Sequence, residues 1–137
     1  MPESGYYEKR PRPEHRKFLT RHLALRENIS EVREMDDFRL VVARPEQEDI
    51  CVYLTNKYIL GVADVMEILE IAPESTCIVS TMDYNQYTPE AKLYARERDV
   101  GLFKSKEFLG AVHYEGSRFL DYLSPEQRER LRRKGGA

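Results

Sequence analysis

Residues 79–103, VSTMDYNQYTPEAKLYARERDVGLF, restrict the possible folds of this chain more than any other stretch. The apolar run 76-TCIVST-81 enters a polar turn, a helix with a defined start follows, and a second short apolar run closes the unit. Thr88 offers a cap oxygen to a free amide, Pro89 suits the first helical position, and Glu90 complements the positive end of the helix dipole. Ala91, Tyr94 and Ala95 form the inner face, while Asp99 and Gly101 mark the close. Two strands joined through a helix lie parallel, and a right-handed crossover is the economical path. TCIVST is continuously apolar, as in a strand covered on both faces. The unit predicts an α/β fold.

The remaining elements fit around it. Residues 1–12, ending in RPRP, are predicted irregular, because each proline removes a donor and biases its predecessor away from the helical region. From Pro13 or Glu14 to about Glu27, the residues Phe18, Leu19, His22, Leu23 and Leu25 make a broad apolar face on a first helix. Ile29 and Val32 suggest a short edge strand before the acidic turn 34-EMDD-37. The β-branched runs 38-FRLVVAR-44 and 50-ICVYLT-55, separated by 45-PEQED-49, read as a hairpin. Residues 61–71 place Val62, Val65, Met66 and Leu69 at helical spacing. Strands are expected at 76–81 and 100–103, helices at 88–99 and 106–113, and a further helix from Pro125. The division is an irregular segment 1–12, one α/β domain 13–123 and a basic helix or tail 124–137.

At 137 residues the chain fits one domain with a sizeable core. No apolar run approaches the roughly 18 residues needed to span a bilayer, and the first residues lack a signal-peptide hydrophobic segment, so a cytoplasmic protein with no membrane partner is expected. Cys51 and Cys77 lie in apolar runs and read as buried thiols, without the spacing of a zinc site.

The net charge of −2 hides an asymmetry. Residues 9–26 carry +6 and residues 128–134 carry +4, leaving −10 for residues 27–127 once the −2 of residues 1–8 is set aside. Basic ends suit phosphate backbones, and Arg16, Lys17 and Arg21 are the candidate contacts on the first helix. The competing reading is a pair of solvated faces. Tyr84, Asn85 and Tyr87 cluster after a strand, at the edge where open α/β sheets bind ligands, and they offer stacking for a base or simply fill their own loop. His15, His22 and His113 form no catalytic spacing, and no glycine-rich phosphate loop is present.

The order helix, acidic turn, hairpin, helix, strand, helix, strand resembles the Mrr-type branch of the restriction-endonuclease-like superfamily, the PD-(D/E)xK nucleases. The resemblance covers most of residues 14–112 and implies a mixed β-sheet flanked by helices. It also implies an active site in which Asp37 matches the motif Asp, a metal ligand, and Lys57 matches the motif Lys. Position 55 holds Thr in 54-LTNK-57 where the family has Glu, Asp or Gln. The chemistry implied is Mg²⁺- or Mn²⁺-dependent hydrolysis, in which hard oxygen ligands hold the ion and the ion activates water. Thr55 is a neutral and weak substitute for the missing acid, so the motif is degenerate unless Glu14, Glu27 or Glu67 supplies a relocated carboxylate. The plain alternative is that Asp37 caps a turn and Lys57 ends a strand in solvent.

Three functions are then open: a metal-dependent DNA endonuclease with a relocated acid, a catalytically degenerate scaffold that binds nucleic acid or a protein partner, possible homodimer included, and a small-ligand-binding α/β module. The degenerate scaffold, needing no cofactor, is the expectation adopted, because the motif is broken while the scaffold pattern and the basic ends are retained.

Overall fold

The computed structural model describes residues 10–82 and 85–135. Helix α1 (Pro13–Ala24) leads into strand β1 (Glu31–Glu34) and the hairpin β2 (Arg39–Ala43) and β3 (Ile50–Thr55). Strand β4 (Ile59–Leu60), helix α2 (Val62–Ile71), strands β5 (Cys77–Ser80) and β6 (Gln86–Tyr87), helix α3 (Pro89–Arg96) and strand β7 (Gly101–Lys104) follow. Helices α4 (Ser105–Ala111), α5 (Ser117–Leu120) and α6 (Pro125–Gly135) complete the described chain.

The main sheet is mixed and five-stranded, in the order β1-β2-β3-β5-β7. The first three strands pair antiparallel, with Val32 opposite Val42 and Val41 opposite Cys51. The last three pair parallel, aligning Tyr53, Ile78 and Leu102 in one row. This α/β sheet flanked by helices agrees with the sequence expectation. The cap of α3 also forms as read, with the Ala91 N–H donating to Thr88 Oγ1 at 3.0 Å.

Side chains alternate across the sheet, so each strand feeds two cores. On one face Leu40, Val42, Val52, Leu54, Val79 and Phe103 pack with Leu19 and Leu23 of α1 and with α4 and α5. On the other, Tyr53, Ile78 and Leu102 pack with Val65 and Ile68 of α2 and Ala91 and Ala95 of α3. The continuous apolar run at 77–79 is what a strand covered on both faces needs.

Some boundaries and faces differ from the reading. Helix α1 stops at Ala24, because the chain turns to bury Ile29 and to let Asn28 Nδ2 donate to the Val112 carbonyl at 2.9 Å. It buries only Leu19 and Leu23, leaving Phe18 and Leu25 exposed. Helix α2 buries Val65 and Ile68, and Met66 is exposed. Six of its ten residues are large and apolar, so periodicity alone did not fix which stripe faces inward. The small parallel sheet, with Ile59 opposite Gln86 and Leu60 opposite Tyr87, is too short to leave a pattern.

Candidate functional site

Asp37 lies just before β2, in a turn whose geometry is set by its neighbour. Asp36 Oδ1 accepts from the N–H groups of Phe38 and Arg39, both at 2.8 Å, and the turn capping suggested for Asp37 thus falls to Asp36. The Asp37 carboxylate instead meets two guanidinium groups. Arg10 donates to Oδ2, and Arg16 of α1 donates to Oδ1 at 3.3 Å while its Nε binds Glu34 at 3.0 Å. Asp37 is therefore held against the α1 face of the sheet.

Thr55 and Lys57 belong to the opposite face. They line a cavity of about 40 Å³ with Tyr53 of β3 and with Asp64, Glu67, Ile68 and Ile71 of α2. The β3 residues that face α1 are Val52 and Leu54, both in the apolar core. Asp37 precedes the first residue of β2, so the turn and its pairing with Arg16, and not the pleat of the ladder, aim its side chain at α1 and away from Thr55 and Lys57. Thr55 is itself buried, and its hydroxyl accepts from the Lys57 N–H at 3.3 Å.

The relocated acids fare differently from one another. Glu67 reaches the cavity beside Thr55 and Lys57. Asp64 beside it already caps α2 by accepting from the Gly61 N–H at 2.9 Å. Glu14 lines a separate cavity of about 440 Å³ with His15, Phe18, Thr81, Ser105 and Lys106. Glu27 is exposed beyond the end of α1. Among the described residues no group of three or more His, Cys, Asp or Glu side chains is arranged to hold a metal ion. The carried-over motif residues, Asp37 neutralised by arginines on one face and Thr55 and Lys57 on the other, do not fit a shared divalent cation.

The candidate nucleic-acid contacts also divide. Arg16 is occupied by Glu34 and Asp37, whereas Lys17 and Arg21 are exposed on α1. Asn85 is 1% exposed and its Nδ2 donates to Asn56 Oδ1 at 3.0 Å, so it ties two loops together and does not face a ligand. Tyr84 lies outside the described residues. Tyr87 lines a groove of about 890 Å³ beyond the carboxyl ends of the parallel strands, with Lys104, Lys106, Tyr122 and, from α6, Gln127 and Arg130. No family model, curated protein or solved structure matches this chain.

Beneath that groove is a buried polar network which sequence reasoning missed. Glu107 is 4% exposed, and its oxygens accept from the Lys104 N–H at 3.0 Å, the Tyr87 hydroxyl at 2.7 Å and Gln127 Nε2 at 2.8 Å. Burial, reinforced by the Glu107 charge, pushes the Tyr87 phenol far above its usual range. Lys92 donates to the Leu102 carbonyl at 2.6 Å and sits 4.0 Å from the Phe103 ring centre. Burial lowers its pKa, and Glu107 acts against that shift. A lysine immediately after Ala91 on the inner side of α3 and a glutamate three residues after Lys104 were the available signals.

Proposed function

We propose that the chain is a non-catalytic, restriction-endonuclease-like binding module that engages nucleic acid through the basic rim of its sheet. The observation that carries the non-catalytic part is the fate of Asp37. Two arginines compensate the charge that a metal would otherwise neutralise, and the β3 side chains on the α1 face of the sheet are the apolar Val52 and Leu54. A water-activating ion needs hard oxygen ligands converging on one point, and the carboxylates on that face, Asp37 and Glu34, are bridged by the Arg16 guanidinium in the place of a cation. The αβββ order with a later α/β unit on a mixed sheet supports the resemblance at the level of topology.

The binding part rests on where the remaining cations lie. Lys104, Lys106 and Arg130 surround the groove, and Lys106 also borders the cavity at the start of α1, the helix that bears Lys17 and Arg21. The two basic ends of the sequence thus approach one edge of the sheet. The acids there are partly offset, because Glu107 is saturated by donors near Lys92 and Glu126 pairs with Arg130.

Plasmid incubated with the protein and Mg²⁺ or Mn²⁺ should stay intact. The Thr55→Glu variant should also be inactive, since it places an acid on the wrong face. Cleavage lost in both Asp37→Ala and Lys57→Ala would overturn the reading. Binding to labelled DNA should weaken as salt rises, at about −0.9 in the log–log slope per neutralised phosphate on duplex. Neutralising Lys104, Lys106 and Arg130 together should flatten that slope. A second reading, a protein-binding scaffold, is favoured by the engagement of Arg10 and Arg16 with acids and of Arg26 with the Leu109 carbonyl. It takes over if no DNA binding is seen at low salt.

A further inference from the structure

The exposed residues of α2 are Ala63, Met66, Glu67, Glu70 and Ile71, a run at helical spacing whose Glu67 and Ile71 also border the cavity at Thr55 and Lys57. Met66 and Ile71 are each about half exposed, as are Tyr58 and Ile59 just before the helix. Residues 58–91 contain six acids and no Lys or Arg. The face is therefore apolar at its centre and negative around it. Two large apolar side chains rimmed by acids on one helix face are a pattern that a protein partner can use.

Helix α6 has the opposite character. It carries Arg128, Arg130, Arg132, Arg133 and Lys134 against Glu126 and Glu129, with Leu131 57% exposed among them. It is joined to the rest of the fold through few side chains: Gln127 binds Glu107, and Arg128 lies 5.6 Å from the Tyr122 ring centre. Its own ion pairs, Arg130 with Glu126 and Arg132 and Arg133 with Glu129, join largely exposed groups three or four residues apart. Such pairs contribute roughly 0.5 kcal/mol or less each and exchange readily for better partners.

We infer that the chain self-associates as a two-fold dimer, with α6 of each copy laid on the α2 face of the other. Leu131 meets Met66 and Ile71, and the arginines face Glu67 and Glu70. The occupant is a second copy because both complementary surfaces, one basic and one acidic, lie exposed on this one chain. A reciprocal arrangement closes after two copies and uses both surfaces twice. The inference shares Arg130 with the nucleic-acid reading, whereas α2 takes no part in that reading.

Sedimentation velocity of the full chain tests it. At low salt the mass should be twice that of one chain, and it should return to a single chain as salt screens the charges. Glu67→Lys/Glu70→Lys and, separately, Arg130→Glu/Arg133→Glu should each be monomeric at low salt, with unchanged circular dichroism. Mixing the two variants should restore the doubled mass, because in the mixed dimer both contacts regain opposite charges. A single-chain mass for the unaltered protein at low salt overturns the proposal. So do a doubled mass that neither variant alters, failure of the mixture to reassociate, and growth beyond two copies. The α2 variant keeps Lys104, Lys106 and Arg130 and should still bind DNA as a monomer, so loss of the dimer and loss of the groove reading register separately.

Discussion

Glu107 and Asp121 both accept charge-assisted or polar hydrogen bonds, yet burial gives them different weights. Glu107 is enclosed with three donors filling its oxygens, and removing it leaves the Tyr87 hydroxyl and the Gln127 amide without that acceptor. Glu107→Ala should cost about 3 kcal/mol in urea unfolding, the size expected when a buried network loses its central member. Asp121 is half exposed and receives Arg96 at 2.5 and 2.8 Å. The hydrogen bond from Arg96, aided by its charge, holds the Asp121 carboxyl below its ordinary 3.8. A folded pKa below the unfolded one gives stability that is present above 3.8 and lost as pH falls through the folded value. Asp121→Asn should therefore cost less than about 1 kcal/mol at neutral pH, and the difference should fade in acid, as paired urea melts would show. The two thiols follow the same logic of enclosure. Cys77 is fully buried and Cys51 only partly, and burial raises both thiols. A thiol reagent should modify Cys51 slowly in the native protein and reach Cys77 only on unfolding.

At the scale of elements, α3 was the most legible because its ends carry chemistry and not only hydrophobicity. Thr88 caps it as the sequence implied, and Thr88→Ala should lower stability by about 1 kcal/mol. Its close is marked by Asp99, which adopts φ +59°, the left-handed region that a side chain resists. Asp99→Gly should be neutral or raise the melting temperature, against the usual trend for a glycine substitution. Gly110 of α4 gives the contrast: a Cβ there would collide with the Tyr122 ring, so Gly110→Ala should destabilise by about 1–3 kcal/mol through overpacking. Helix α2 was legible as a helix and not in its orientation. Val65 was correctly read as inward, but Met66 gave way to Ile68, because the turn at Gly61 and the packing against α3 decide which stripe is buried. The hairpin was legible as strands, whereas its connection to function was not. The motif spacing placed Thr55 and Lys57 beside Asp37, and the turn before β2 draws Asp37 to Arg10 and Arg16 while Thr55 and Lys57 line the cavity under α2.

For the molecule as a whole, the decisive feature is that distant segments converge. Arg10 and Arg16 reach Asp37 from the start of the described chain, and Gln127 reaches Glu107 from its last helix. Deleting residues 125–137 should leave a cooperative fold, because neither core draws on α6, while exposing Glu107 and, on the proposed nucleic-acid reading, weakening DNA binding through loss of Arg130. Thermal unfolding together with a salt titration of binding checks both expectations.

The sequence by itself determined the α/β class, the strand runs, the cap of α3 and the parallel β5–α3–β7 unit. These follow from local grammar: β-branched runs, turn residues and helix caps act within a few residues of their own position. Tertiary structure decided which face each side chain serves. That is why Asp37 is neutralised by Arg10 and Arg16, why Thr55 and Lys57 line a cavity under α2, and why Asn85 is a buried clip. A turn aims its side chains by its own hydrogen bonds and packing, and a charge is compensated by whatever the folded chain brings within reach, so neither is written in spacing along the chain.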